Sequence, residues 1–228
     1  MKIDIKGTII PNDEKWVYDF FGIESVCPKE VLDAINQTKE EGLDVYINSG
    51  GGDVPSGSEI YTALRNASCE VRIHVVGIAA SAASIIMCAR HCDISPVGMV
   101  MIHNVRSSAE GDYIYMQHMT EILNTASRAL CTAYMEKTGR TESEFMELMS
   151  REKWFTAQEA VDMGLCDEIS RAADSGGMKL VATAAPIIPM AVAKKIKTMQ
   201  DDWEREKAAY FSACSRFARL EKKKNDKR

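Results

Sequence analysis

One stretch of small residues carries hydroxyl groups of the kind that nucleophilic catalysis uses. GIAASAASII, residues 77 to 86, holds Ser81 and Ser84 three positions apart. A serine hydroxyl is a weak nucleophile, so hydrolysis requires a base that takes its proton and backbone amides that hold the oxyanion. Ser81 is predicted at a strand-to-helix junction, where free N–H groups and the helix dipole point outward. Ser84, one turn later, is predicted to pack along the helix, so the position favours Ser81.

Four histidines are available as the base. His74 is predicted inside a strand, His91 in a helix that carries CARHC, and His118 on a long helix. His103 ends the apolar strand VGMVMIHNV, where it can face the same crevice as Ser81. His103 is therefore the favoured base, and a structural histidine at a strand end is the alternative.

The elements that must position these residues alternate between strands and helices. Pro28 begins a predicted helix that runs to Gly42, LDVYINS follows as a strand, and SGSE (56 to 59) is predicted to cap a second helix. EVRIHVVG is the next predicted strand. Strand, helix and strand in this order indicate an α/β fold with a parallel sheet, whose binding crevices open where strands end.

Glycines lie at both of those strand ends. NSGGGD (48 to 53) follows the first strand and GIAAS (77 to 81) follows the second. Both stretches are therefore predicted at the edge of the sheet where sites usually form.

A long helix is predicted from about Asp112 to Gly139. Its apolar residues recur in alternating steps of three and four; they are Met116, Met119, Leu123, Ala126, Leu130 and Ala133. This seam fits packing within its own domain and fits a subunit interface equally well. TESE (141 to 144) and TAQE (156 to 159) are predicted to cap two further helices.

Composition excludes several classes of function. A net charge of -5 gives no general basic surface, so neither nucleic acid nor an anionic membrane is expected as a partner. No long apolar run and no signal-peptide core are evident, which indicates a cytoplasmic protein. The seven cysteines lack paired spacing and are expected to be reduced thiols. Cys88, His91 and Cys92 lack a fourth ligand, so neither a metal nor another cofactor is expected.

The character of the chain changes from Arg171 onward. AADSGGMK has the composition of a linker, and a proline-broken apolar segment and a charged helical pattern ending EKKKNDKR follow. We therefore expect a folded domain at residues 1–171 and a linker with a charged helical appendage at residues 172–228.

Four ordered motifs resemble the proteolytic subunit of Clp protease, and most of all its prophage-encoded relatives of the head-maturation-protease type. The motifs are YINSGGGDVPSGSEIY, GIAASAASII, MVMIHN and WFTAQEAVDMGLCDEI. The resemblance covers roughly residues 1 to 170. It implies a crotonase-like α/β subunit of repeated β-β-α units, with a protruding handle formed by the long helix.

Matching positions carry the family's functional residues onto this chain. The nucleophile falls on Ser81 and the general base on His103, in agreement with the positional argument. The oxyanion hole is expected to be the backbone N–H groups of Gly51 and Ala82, and Gly52 is assigned to substrate binding.

Two positions depart from the family's pattern. Gly50 stands where the housekeeping family has proline, so the glycine turn loses rigidity. The triad aspartate is replaced by Glu152, in SREKW. Glutamate can orient an imidazole, but its extra methylene requires the backbone to lie further back. A surface pair of Glu152 with Arg151 or Lys153 is the alternative.

The resemblance also implies an assembly and its partners. A serine endopeptidase of this type cleaves peptides or unfolded and flexible proteins inside a homo-oligomeric ring, as a heptamer or stacked rings. The chain has no GxxxxGK[ST] motif, so an ATP-driven (AAA+) unfoldase would be a separate partner. A prophage enzyme would instead process a capsid or scaffold protein. Two alternatives remain open: a non-catalytic ring-forming assembly protein and a crotonase-type acyl-CoA enzyme.

Overall fold

The computed structural model describes residues 1–38, 42–170, 195, 197–199, 203, 205 and 207. The chain divides into two compact units, Met1–Asp19 with Glu24–Gly177, and Phe20–Ile23 with Met178–Arg228. The expected appendage at residues 172–228 lies almost wholly outside the described residues, and its boundary stays a prediction. In the smaller unit, the Lys195 Nζ lies 3.8 Å from the centre of the Phe20 ring.

Strands and helices follow one another along residues 1–170, for the most part in alternation. The strands are β1 (Lys2–Ile9), β2 (Ser25–Val26), β3 (Leu43–Gly52), β4 (Val71–Ala80), β5 (His91–Ile94), β6 (Met99–Ile102), β7 (Lys153–Thr156) and β8 (Glu168–Ile169). The helices are α1 (Lys15–Phe21), α2 (Pro28–Gln37), α3 (Val54–Asn66), α4 (Ala82–Met87), α5 (Tyr113–Thr138), α6 (Glu142–Ser150) and α7 (Ala157–Asp162).

The strands form one sheet in the order β2-β1-β3-β4-β5-β8, with β6 beside β4 and β7 beside β6. Every pairing is parallel except that of β6 with β7, which is antiparallel. The predicted α/β class with a parallel sheet is therefore confirmed. The sheet also includes β5, β7 and β8, which the apolar pattern alone did not reveal because each has only two to four residues.

Several helix boundaries are where the sequence predicts them. Asp112 caps α5 by accepting from the N–H of Tyr115, and Gly139 ends it in the left-handed conformation, with φ of 73°. Thr141 and Thr156 each form a capping box with the glutamate three residues later, at the starts of α6 and α7. Side-chain caps satisfy N–H groups that the first turn leaves without partners, which explains why these signals were reliable.

Two sequence-based assignments were wrong. Helix α3 begins at Val54, before SGSE, because Asp53 is the cap and accepts from the N–H of Ser56. CARHC is not a helix: α4 ends at Met87, and His91 and Cys92 belong to β5. In the described ranges, no group of three or more His, Cys, Asp or Glu side chains is placed to hold a metal ion.

The core of the larger unit lies between the sheet and its helices. Strand residues that alternate toward the helices are fully buried, among them Val45, Ile47, Ile73 and Val75. The short helix α4 is buried along its whole length. Helix α5 divides in two: Leu130, Cys131, Ala133 and Tyr134 pack in the core, whereas Tyr113 to Met116 are exposed. Over the described residues, no helix is long and apolar enough to cross a membrane.

Side chains on the other face of the central strands, away from this core, form a polar cluster around His74. The His74 Nδ1 lies 2.5 Å from Asp93 on β5, and its Nε2 lies 3.5 Å from Asp44 on β3. The hydrogen bond with Asp93 raises the pKa of His74 and outweighs burial, which acts in the opposite direction. His74 thus links three parallel strands.

We predict that His74→Gln destabilises the protein more at pH 6 than at pH 9. A raised folded-state pKa gives stability that is fully present below the ordinary histidine value of about 6.5 and is lost as pH rises through the folded value. Denaturant unfolding of both proteins at the two pH values measures this. His91→Gln, at an exposed position on β5, is the control. An equal destabilisation at both pH values would contradict a charged bridge.

Candidate active site

Ser81 stands at the turn between strand β4, which ends at Ala80, and helix α4, which begins at Ala82. Its φ of 54° and ψ of -125° are unusual for a residue other than glycine. Such backbone strain persists only where surrounding structure fixes it, and it is common at functional sites. The turn resembles the strained elbow that exposes a nucleophile between a strand and a helix.

Hydrogen bonds from two sides hold the Ser81 backbone. Its N–H donates to the carbonyl of Met101 on β6 at 3.0 Å, and its carbonyl accepts from the N–H of Ser84 at 2.9 Å. The Ser84 hydroxyl also donates to the Ser81 carbonyl at 2.6 Å and lies 2.7 Å from the Tyr134 hydroxyl. Burial raises the pKa of Tyr134, which keeps it protonated and able to donate to Ser84. Ser84 is therefore a buried support of the turn, through Tyr134 of helix α5.

Strand β4 brings Ser81 beside the histidine that the sequence favours. Because Ala80 lies in register with Met101, the residues that follow them lie close together. The His103 Nε2 is 2.7 Å from the Ser81 Oγ, a hydrogen-bond distance. Burial, and then the positive charge of Arg106, lower the pKa of His103, while Glu152 acts to raise it. The imidazole is therefore neutral at physiological pH, as a base must be.

The glycines of β3 lie against the same turn, as part of the strand rather than of a separate loop. A Cβ added to Gly51 would lie 2.7 Å from the Ser81 Cβ and 2.9 Å from the Ala82 N, so only glycine fits there. The Gly51 N–H donates to the buried Ser49 hydroxyl at 3.0 Å. Gly52 lies against β1 instead, since a Cβ there would meet the Ile9 carbonyl. Ala82 is the first residue of α4, and a first helical N–H has no acceptor within the helix.

Glu152 reaches the neighbourhood of His103 through the pairing of β6 with β7. Ile102 lies opposite Lys153, so the antiparallel register places His103 opposite Glu152. Glu152 adopts the left-handed conformation, with φ of 51°, where α6 turns into β7. Its carboxylate accepts a hydrogen bond from the guanidinium of Arg106. The His103 Nδ1 is buried and has no hydrogen-bond partner among the described residues.

The structure thus brings Ser81, Ala82, Gly51 and His103 together and brings Glu152 only to their edge. The two surface partners weighed for Glu152 bond elsewhere: Arg151 pairs with Glu147, and Lys153 with Glu159. The serine and histidine can share a proton, whereas no residue that the structure describes accepts a hydrogen bond from the His103 Nδ1 to fix the tautomer.

Arg106 and Tyr134 are the residues that sequence reasoning missed. Arg106 follows the HN dipeptide in an irregular segment, and no local pattern connects it with Glu152, 46 residues later. Tyr134 is an aromatic residue of α5 that the sequence indicates as a core residue, and it is buried in the core. The polar partner on the short helix, Ser84, was the available signal, because a buried hydroxyl requires a hydrogen bond.

Comparison with known proteins identifies the family. The family model described as Clp protease matches residues 24–173. The ATP-dependent Clp protease proteolytic subunit 2 of Rhodococcus jostii (strain RHA1) is 31% identical over 141 residues, which is 59% of this chain and 71% of that protein. The chain belongs to the Clp protease family. As a Clp protease family member it is assigned to the serine peptidases, and such proteins usually form oligomeric rings.

We predict that Tyr134→Phe destabilises the domain by about 1 kcal/mol, since it removes one buried hydrogen bond, and that Ser84→Ala destabilises it by about 2 kcal/mol, since it removes two. Because Ser84 links Tyr134 to the Ser81 carbonyl, the two costs should not add, and the double variant should differ from their sum by at least about 0.5 kcal/mol. Urea unfolding of the four proteins tests this prediction. Additive costs would mean that the hydroxyls act independently.

Proposed function

We propose that the chain is a serine endopeptidase in which Ser81 is the nucleophile, His103 the general base and Glu152 the group that orients His103. The observation that carries this proposal is the 2.7 Å contact of the Ser81 Oγ with the His103 Nε2 at a strained strand-to-helix turn, in a Clp protease family member. The same match supports a peptidase over an acyl-CoA enzyme of related fold.

The proposed reaction follows from the two atoms in contact. The Ser81 Oγ attacks the scissile carbonyl carbon as its proton passes to the His103 Nε2. The tetrahedral adduct collapses, the C–N bond breaks, and the imidazolium gives that proton to the leaving amine. Water then attacks the carbonyl carbon of the acyl-enzyme as its proton passes to the same nitrogen. This second adduct collapses, the bond from that carbon to the Ser81 Oγ breaks, the acid product leaves, and the imidazolium returns the proton to Ser81. The neutral imidazole that burial favours is the form that begins the cycle.

Backbone amides beside Ser81 would stabilise the oxyanion. The Ala82 N–H is supported by its place at the start of α4. The Gly51 N–H fits by proximity, but it must first leave the Ser49 hydroxyl or share its proton with the substrate. One oxyanion donor is typically worth about 10² to 10³ in rate. Gly52, against β1, is proposed to contact the substrate backbone further from the scissile bond.

Ring assembly is proposed to use the exposed half of helix α5 as the handle. Its large apolar side chains are Tyr113, Ile114, Tyr115, Met116 and Ile122, all exposed in the single chain. Large apolar side chains that are exposed together on one helical segment are typical of a protein interface. The C-terminal half of α5 is anchored in the core by Leu130 and Tyr134, so the exposed half is held in a fixed direction.

We propose that the substrate is a peptide or a flexible or unfolded protein, cleaved inside the ring in the cytoplasm. The resemblance of the four motifs to prophage proteins supports processing of a capsid or scaffold protein, and a separate AAA+ unfoldase is the alternative partner. The tail beyond residue 171 is proposed as a targeting segment or as a self-cleavage substrate. An intact tail after long incubation of active enzyme would count against self-cleavage.

We predict that a fluorophosphonate labels the purified wild-type protein once per chain, with loss of fluoride, and that Ser81→Ala abolishes this labelling. Ser84→Ala should keep it, because that hydroxyl supports the turn and is buried away from solvent. Intact mass and peptide mapping give the stoichiometry and the position. Labelling retained in Ser81→Ala would remove Ser81 as the nucleophile. No labelling of an assembled wild-type protein would favour the non-catalytic assembly protein.

We predict that Met116→Glu lowers the oligomeric mass measured by light scattering, because a charge would be buried in the proposed handle interface. Thr132→Glu, at an exposed position in the C-terminal half of the same helix, is the matched control and should leave the mass unchanged. Circular dichroism should show equal helix content in both variants. An unchanged assembly with Met116→Glu would place the interface elsewhere.

A further inference from the structure

We propose that Arg106 is a positioning residue that holds the Glu152 carboxylate away from His103 and so keeps the subunit in a resting state of low activity. This inference rests on the proposed function, since it assigns Glu152 the orienting role. The Arg106 guanidinium donates to the Glu152 carboxylate, while the His103 Nδ1 opposite Glu152 has no partner in the described part of the chain.

Hydrogen bonds to two helices hold the two residues that come just before Arg106. The Val105 N–H donates to the hydroxyl of Ser127, buried on α5, at 3.0 Å. The Asn104 Nδ2 donates to the hydroxyl of Ser150, at the end of α6, at 3.2 Å. Arg106 follows these two anchored residues directly, and Glu152 follows Ser150 by two positions. The pair of Arg106 with Glu152 is therefore built into the junction of β6, α5 and α6.

The unsatisfied atoms lie in the same segment. Among the residues that the structure describes, the buried side-chain polar atoms without a hydrogen-bond partner are the His103 Nδ1 and the Asn104 Oδ1. Buried polar groups are almost always paired, so these two neighbouring atoms are places where a further partner would be stabilising. Rotation of the Glu152 side chain from Arg106 to His103 would satisfy the Nδ1.

The proton on His103 explains why this matters for activity. For the Ser81 hydroxyl to donate to Nε2, the imidazole must carry its proton on Nδ1. That N–H is buried, and without an acceptor this tautomer carries the cost of an unmade hydrogen bond. The carboxylate of Glu152 at Nδ1 would remove the cost and stabilise the imidazolium that forms during the reaction. Arg106 opposes both effects, because it holds the carboxylate and its own charge disfavours the imidazolium.

The pair is weak enough to be exchanged. The Arg106 side chain is 68% exposed and that of Glu152 39% exposed, so water and salt screen their attraction. Exposed ion pairs bias an equilibrium by no more than about fivefold. Arg106 therefore lowers the fraction of sites in which Glu152 orients His103 without abolishing it. Its loss should raise the rate of reaction at Ser81 by about three- to fivefold.

The test uses the full-length protein and measures the second-order rate of Ser81 labelling by a fluorophosphonate. Arg106→Gln should raise this rate about three- to fivefold, and Arg106→Lys should stay near the wild-type rate because it keeps the charge. Glu152→Gln should lower the rate, and the double variant Arg106→Gln/Glu152→Gln should gain less over Glu152→Gln than Arg106→Gln gains over wild type, because only the loss of the repelling charge remains. Arg128→Gln is the matched control, since Arg128 is an exposed arginine paired with Glu142 away from the site.

The pH dependence of labelling supplies a readout that a structural role would not move. The rate falls as pH drops through the pKa of His103, on which Arg106 and Glu152 act. Arg106→Gln should move the midpoint upward, because a repelling charge leaves and the carboxylate gains access. The double variant should move it less, because only the first effect remains. Higher salt should speed wild-type labelling more than that of Arg106→Gln.

The outcomes separate this inference from the proposed function. Labelling at Ser81 that is equal in wild type, Arg106→Gln and Arg106→Lys would overturn the role of Arg106 and leave the peptidase proposal standing. A gain in the double variant over Glu152→Gln as large as the gain of Arg106→Gln over wild type would also overturn it, because Glu152 would not be the group released. No Ser81 labelling in any variant would overturn both. Labelling of Arg106→Gln where wild type shows little would support both.

Discussion

The backbone of Ser81 is the constraint on which the rest of the site depends. Its positive φ is unfavourable for a residue with a side chain, and it is kept because Met101 and Ser84 bond its N–H and its carbonyl. The same conformation turns the chain from β4 into α4, which frees the first helical N–H and directs the hydroxyl toward His103. Gly51 must then be a glycine, because its backbone packs directly against this turn.

The support of that turn is distributed across the domain. Ser84 connects it to Tyr134, and Tyr134 belongs to the helix whose other end is the exposed handle. Helix α5 also receives the segment after His103 through Ser127. A displacement of α5 would therefore change the support of the turn at Ser81 and of the segment that follows His103. Through these hydrogen bonds, helix α5 supports the site and also carries the proposed assembly surface.

How much of this could be predicted from the sequence depended on the range of each interaction. Local signals were reliable: the capping residues of α5, α6 and α7 and the junction at Ser81 follow from neighbouring residues. SGSE misled because Asp53, three residues earlier, competes for the same cap. CARHC misled because a strand of four residues is too short for its alternating burial to be distinguished from a helical pattern. The pair of Arg106 with Glu152 depends on register and rotamer, which no local pattern encodes.

Glutamate in place of aspartate gives the competition at His103 its physical basis. The register of β6 with β7 fixes where residue 152 lies, and the longer side chain has one more rotatable bond, so its carboxylate has more orientations available from one backbone position. A shorter carboxylate in the same place would have fewer ways to reach Arg106. The left-handed conformation at Glu152, just before β7, fixes the direction in which its side chain leaves the backbone. With the backbone fixed in this way, the charges and hydrogen bonds around the Glu152 carboxylate decide whether it binds Arg106 or His103. The free-energy difference between these two arrangements is small enough for one arginine to change which of them is favoured.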